Sequence, residues 1–282
     1  MKFLLKALDL LVASNIYVSF GVLILTWVSL DFHQISHPEL LAFVFFSTVF
    51  IYNFIRLFRL QPMRVEGNSK RHEIISRNTG FLWFLCVISC LSAIYFFTFI
   101  CEPLWFYLLP MAIISVAYVI PFYKSQSGWL RLRDVPSIKI FLIALTWAFV
   151  TEGLPSILAT NKIDFLPLLE RFLFILAITI PFDIRDLHFD HMRLKTIPQM
   201  LGVNKAKWLG ISFLFIAELI LFCRYFFLDD MNLWSLLAVY ITYEISTFFV
   251  YKSHPKQKER FVTVGVEGMS ILMGLMYLVF NY

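Results

Sequence analysis

The stretch Leu166-Pro167-Leu168-Leu169-Glu170-Arg171-Phe172-Leu173-Phe174-Ile175-Leu176-Ala177-Ile178-Thr179-Ile180-Pro181-Phe182-Asp183-Ile184-Arg185-Asp186-Leu187-His188-Phe189-Asp190 holds a long apolar run that ends abruptly in acids and bases. Its length matches the roughly 20 residues that a helix needs to cross the hydrocarbon core of a bilayer. Working outward, similar runs recur at about 8–30, 39–58, 81–100, 104–122, 137–158, 207–227, 232–250 and 261–280. The third and fourth are separated only by Cys101-Glu102-Pro103, which predicts a tight turn. Nine runs predict nine transmembrane helices in an all-α, polytopic membrane protein.

Composition agrees. Of 282 residues, 60% are hydrophobic and 15% charged, and the mean hydropathy is +0.76. A soluble domain carries roughly 25% charged residues, so a chain this poor in charge cannot cover a wetted surface. The runs leave no room for a separate soluble domain, and a single domain over 1–282 is expected. Phe alone occurs 32 times, and Trp and Tyr gather near run ends, as interface anchors do. The first run is too long for a cleavable signal peptide and lacks a small-residue cleavage pattern.

The net charge of +5 does not imply a nucleic-acid partner, because the bases form neither a tail nor one face. They fall in alternate loops. With the N-terminus inside, every Lys and Arg except Lys162, Arg171 and Arg224 lies on the inner side. The positive-inside rule then orients the chain N-terminus in and C-terminus out. A multi-pass protein of the inner or plasma membrane follows, with its long, charged loops and any site they hold on the cytoplasmic side. Cys86, Cys90, Cys101 and Cys223 lie in or beside apolar runs without zinc-site spacing, as small buried hydrophobes do.

The charged end of the sixth run is the sharpest local feature. Asp183, Asp186 and Asp190 at i, i+3 and i+7 fall within about 60° of one another around a helix. Like charges gathered this closely need a positive partner. A divalent cation is one reading: Mg²⁺ takes one or two carboxylates and completes its shell with water and phosphate oxygens. A solvated helix end, neutralised by Arg185, Arg193 and Lys195, is the other. Inside the runs, Asn15, Glu218, Glu244 and Glu267 are costly in lipid and mark either interior cavities or interhelical hydrogen bonds, with Glu267 the foremost cavity candidate. The six His residues are scattered in loops without ligand spacing.

The nine-run plan, with Asp183, Asp186 and Asp190 continued by Lys195-Thr196-Ile197-Pro198-Gln199-Met200-Leu201-Gly202, resembles the UbiA superfamily of intramembrane prenyltransferases. Leu130–Lys139, opening the fifth run, resembles the same family more weakly. The resemblance implies a UbiA-like helical bundle. It also implies transfer of a prenyl group from an isoprenyl diphosphate to a lipophilic, often aromatic, acceptor drawn from the membrane lipid phase. Mg²⁺ would be held by Asp183, Asp186 and Asp190, which are also the catalytic residues so implied. Ionising an allylic diphosphate develops negative charge on the leaving group, which bases and a metal stabilise. The allylic cation left behind suits aromatic faces. Lys124, Arg133, Lys139 and Lys195 are the candidate diphosphate contacts on this side, Lys139 foremost because it lies a turn inside the fifth run.

The family's first acidic motif is not kept. Asn53 aligns with its Asn, but Leu57 and Gln61 stand where carboxylates are expected, and Arg56 and Arg59 add positive charge instead. Three readings stay open. Asn53, Arg56 and Arg59 contact diphosphate in place of a metal, since Arg clamps phosphate bidentately. The chain binds an isoprenoid without turning it over. Or the fold serves another role, such as partner in a membrane complex. A transporter is disfavoured by the lack of an internal repeat with matched broken helices.

Overall fold

The structure is a computed structural model that describes residues 2–60, 75–121, 123–125, 128–187, 195–228 and 231–281. Among the described residues it is almost wholly helical. The helices are α1 (Lys2–Ala13), α2 (Ile16–Phe32), α3 (Pro38–Leu60), α4 (Thr79–Val119) and α5 (Ile138–Thr160), followed by α6 (Phe165–Asp186). The short α7 (Ile197–Leu201), α8 (Val203–Cys223), α9 (Leu233–Lys252) and α10 (Phe261–Asn281) complete the series. A two-stranded antiparallel hairpin, β1 (Tyr123–Ser125) with β2 (Gly128–Leu130), precedes α5, with Lys124 opposite Trp129.

Among the described residues seven helices are long and apolar enough to cross a membrane, and eight if α1 and α2 form one bent span. This is a multi-pass integral membrane protein. The nine expected runs all appear as helix, but the fourth, Leu104–Val119, is shorter than the others. The predicted turn at Cys101-Glu102-Pro103 is absent: the backbone is helical throughout Thr79–Val119. Large apolar side chains such as Phe84, Leu91, Phe106, Phe215 and Phe227 remain exposed, as a lipid-facing surface requires.

Two compact units make up the chain. The first comprises Met1–Leu23 and His37–Pro103. Here α1 meets α2 at a 73° bend between Ala13 and Ile16, through Asn15 in the left-handed region at φ 59°. Asn tolerates that conformation better than most residues. Leu57 packs into a small apolar core with Ala13, Ile75, Leu82 and Cys86. Phe46 of α3 stacks on Phe96 of α4 with ring centroids 5.9 Å apart, one use of the phenylalanine-rich composition.

The second unit comprises Ile24–Ser36 and Leu104–Tyr282, and α6 is its centre. Nearly every residue of α6 from Leu173 to Pro181 is buried, and the helix packs against α5, α8 and α9. Gly210 of α8 allows the closest approach: a Cβ there would stand 3.1 Å from Val250 Cγ1 and 3.2 Å from Ile180 Cδ1. Gln257 donates from Nε2 to the Pro181 carbonyl at 3.0 Å, tying the α9–α10 connection to the last turns of α6. Three π-helical turns, Phe149–Gly153, Arg224–Leu228 and Phe261–Val266, interrupt α5, follow α8 and open α10. Such turns are uncommon and re-aim the side chains they contain.

Candidate functional site

Three segments converge at the C-terminal end of α6. Asp183 is 2% exposed, and its Oδ1 accepts from Lys139 Nζ, the second residue of α5, at 3.0 Å. Three residues on, Asp186 takes a fork of two hydrogen bonds from Arg185, 2.7 Å from Nε and 3.0 Å from Nη2. The Arg185 guanidinium also lies over the Phe182 ring at 5.4 Å, and Glu259 and Glu267 lie within its electrostatic reach. Its buried Nη1 has no acceptor among the described residues. A buried cationic donor without an acceptor is expensive, so this group is aimed where an anion would be welcome.

The third segment is Lys195–Leu201. Ser137, immediately before α5, donates its hydroxyl to the Lys195 carbonyl at 2.8 Å. Both residues are in the left-handed region, Ser137 at φ 63° and Lys195 at φ 44°, where a side chain costs roughly 1 kcal/mol or more. Gln199 Oε1 accepts from the Thr196 N–H at 3.0 Å, capping α7. The chain enters α7 and α8 from this anchored position, so the backbone of the exposed Lys195 is tied to Ser137, two residues before Lys139 in the chain.

The other residues singled out from the sequence are placed as follows. Arg133, in a 3₁₀ turn, lies over the Tyr118 ring at 5.2 Å, and Lys124 is exposed on β1. In the first unit, Asn53 is fully buried and serves the α1–α2 bend. It accepts from Asn15 Nδ2 at 3.0 Å and donates to the carbonyls of Ser14 and Val49 at 2.7 and 2.9 Å. Arg56 Nη1 donates to the Ala13 carbonyl at 2.5 Å, capping the end of α1. The Arg59 side chain and all of Asp190 lie outside the described residues.

A Mg²⁺ site was tested on the donors present. Among the described residues, no three His, Cys, Asp or Glu side chains group as metal ligands. Asp183 and Asp186 each hold a basic partner, an arrangement that suits a phosphate anion beside paired charges more than it suits a bare cation. No chemical step is therefore derived through a metal.

A second polar cluster was not recognised from the sequence. It lies in the other half of α6. Glu170 pairs with Arg224 at 2.6 Å and accepts from the Tyr243 hydroxyl at 2.8 Å. Arg171 lies 3.6 Å from Glu152 and donates to Ser29 Oγ at 3.2 Å. Ser29 in turn donates to Glu152 Oε2, and His33 Nε2 is 3.4 Å from Glu152 Oε1. All four charged residues are at most 6% exposed. The sequence carried a signal for this: opposite charges inside three different apolar runs, which lipid makes costly unless they meet.

Comparison with known proteins bears on the fold. No family model matches the chain, and no curated protein sequence matches it. A solved structure of digeranylgeranylglyceryl phosphate synthase, a membrane protein, matches with 16% identity over 99% of each chain and a TM-score of 0.54. The chain shares that architecture from end to end.

Proposed function

We propose that the chain is a UbiA-like prenyltransferase, moving a prenyl group from an isoprenyl diphosphate to a lipophilic acceptor dissolved in the membrane. The observation that carries this reading is the paired set Lys139–Asp183 and Arg185–Asp186, with Arg185 Nη1 left without an acceptor. The shared fold with a prenyl-lipid synthase supports it, since that protein's name describes a geranylgeranyl-bearing product. In the full reading this site lies on the cytoplasmic side of the membrane.

The chemistry assigned to the site is electrostatic. As the allylic C–O bond breaks, negative charge gathers on the departing diphosphate. Arg185 and Lys139 supply fixed positive charge there, and Lys195 and Arg133 are the further candidates. Asp183 holds the Lys139 ammonium in place, while Asp186 fixes the plane of the Arg185 guanidinium.

A second reading has its own observation. Leu57, at a position where the family's first motif has a carboxylate, is 3% exposed in an apolar core, and Asn53 and Arg56 serve the α1–α2 bend. These three positions serve packing and the bend. A UbiA-like protein that binds an isoprenoid or a membrane partner without transferring the prenyl group would tolerate this.

One assay separates the two. Purified protein is incubated with isoprenyl diphosphates of several chain lengths, with Mg²⁺ or with a chelator, and released diphosphate is measured. A transferase releases diphosphate from an allylic substrate, and comparing the Mg²⁺ and chelator arms reports whether a metal takes part. Saturable binding without release assigns the silent reading, and transmembrane movement of an intact diphosphate in liposomes assigns transport.

A further inference from the structure

Away from the paired acids, the first turns of α8 and the last turn of α9 enclose a cleft of about 330 Å³. Asn204, Lys207, Trp208, Tyr251, Lys252 and His254 line it. Two ammonium groups, a histidine and a side-chain amide thus share one opening, and among the described residues no carboxylate lines it. Among the described residues neither lysine forms an ion pair with a carboxylate. Lys252 Nζ lies instead over the rings of Phe248 and Tyr251, at 5.8 and 5.9 Å.

Position decides what such a cleft would hold. It lies where the apolar spans Val203–Leu228 and Leu233–Lys252 end, the level of lipid headgroups. Trp208 and Tyr251 are 63% and 55% exposed, amphipathic rings at the depth where aromatic belts form. From the cleft lining, Lys207 and Ile211 are followed by Phe215 at i, i+4 and i+8 on one stripe of α8. Phe248 stands one turn below Lys252 on α9. Phe215 and Phe248 are both more than half exposed. Charge above an apolar track matches a phosphodiester headgroup above its acyl chains.

We propose that this cleft binds the headgroup of an anionic phospholipid, with Lys207 and Lys252 meeting the phosphate and the Ile211–Phe215 stripe taking an acyl chain. Gln257, three residues past His254, bonds to the Pro181 carbonyl two residues before Asp183. The cleft therefore opens at the same end of α6 as the candidate site, but none of the site's described side chains lines it.

The test is native mass spectrometry of the full chain in neutral detergent with equimolar phosphatidylglycerol and phosphatidylcholine of matched acyl chains. Each interfacial lysine adds electrostatic attraction, so two predict retention of the anionic lipid by about tenfold over the neutral one. The double variant Lys207→Gln/Lys252→Gln is expected to lose that preference while melting with the wild type in neutral detergent. Equal retention of both lipids by the wild type, or an unchanged preference in the double variant, overturns the proposal. A wild-type arm needs no variant: millimolar inorganic phosphate leaves the anionic lipid bound if the acyl track contributes. Displacement by phosphate alone would identify a free-anion site and overturn the lipid assignment.

Discussion

Lys139 Nζ lies 3.0 Å from Oδ1 of Asp183, joining the entry of α5 to the last turn of α6 through a carboxylate that is almost fully buried. Neither residue is free to change alone. Removing the ammonium leaves a charge in a desolvated place, a loss of about 3–5 kcal/mol for a fully buried pair. Lys139 keeps 19% side-chain exposure, which puts the expectation at the low end. Lys139→Met should lower the apparent melting temperature in detergent, and Lys139→Met/Asp183→Asn should regain most of it. A single variant as stable as the wild type would contradict the pairing.

In the other half of α6, Glu170 and Arg224 are both at least nine-tenths buried and 2.6 Å apart. Arg224→Met should destabilise by about 3–5 kcal/mol, and Glu170→Gln should offset much of that loss in the double variant. The check is a double-variant cycle on melting temperature. Additive losses would mean that the two side chains act independently. Diphosphate release should be unchanged in any variant that remains folded, because this cluster is not part of the proposed site.

Asn53 carries hydrogen bonds to Ser14 and Asn15 at a 73° bend. Asn53→Ala leaves buried backbone and amide groups unpaired, at about 1–3 kcal/mol. The expected outcome is a lower melting temperature with unchanged affinity for an isoprenyl diphosphate. Lost affinity at unchanged stability would restore Asn53 to the diphosphate site.

At Gly210 the α6–α8 contact has little room. Gly210→Ala should cost about 1 kcal/mol as Val250 and Ile180 shift by tenths of an ångström, and Gly210→Leu several times that. Melting temperatures of the two variants, compared with the wild type, check the grading.

The spans were legible because lipid imposes a length and a hydropathy on every crossing helix, as Phe165–Asp186 shows. Lys139 was singled out as a diphosphate contact for its place inside the fifth run, but its ion pair with Asp183 was not foreseen, because that depends on which faces of two distant runs meet. Nor were the hydrogen bonds of Asn53, which depend on the bend at Ser14-Asn15 that a motif alignment does not contain. Arg171 and Arg224 were read only as outer-side charges, since pairing between distant runs depends on which faces meet. The turn expected at Cys101-Glu102-Pro103 rested on Pro103, yet the backbone there is helical. Transmembrane helices accept proline more readily than soluble ones.

The most direct test of the central claim is the affinity of the purified protein for a non-ionisable isoprenyl diphosphate analogue, measured for the wild type and for Arg185→Gln. Loss of a charge-assisted contact to phosphate predicts weaker binding by about tenfold or more, with the fold retained. Equal affinity in the two proteins would place diphosphate recognition away from the end of α6 and contradict the account.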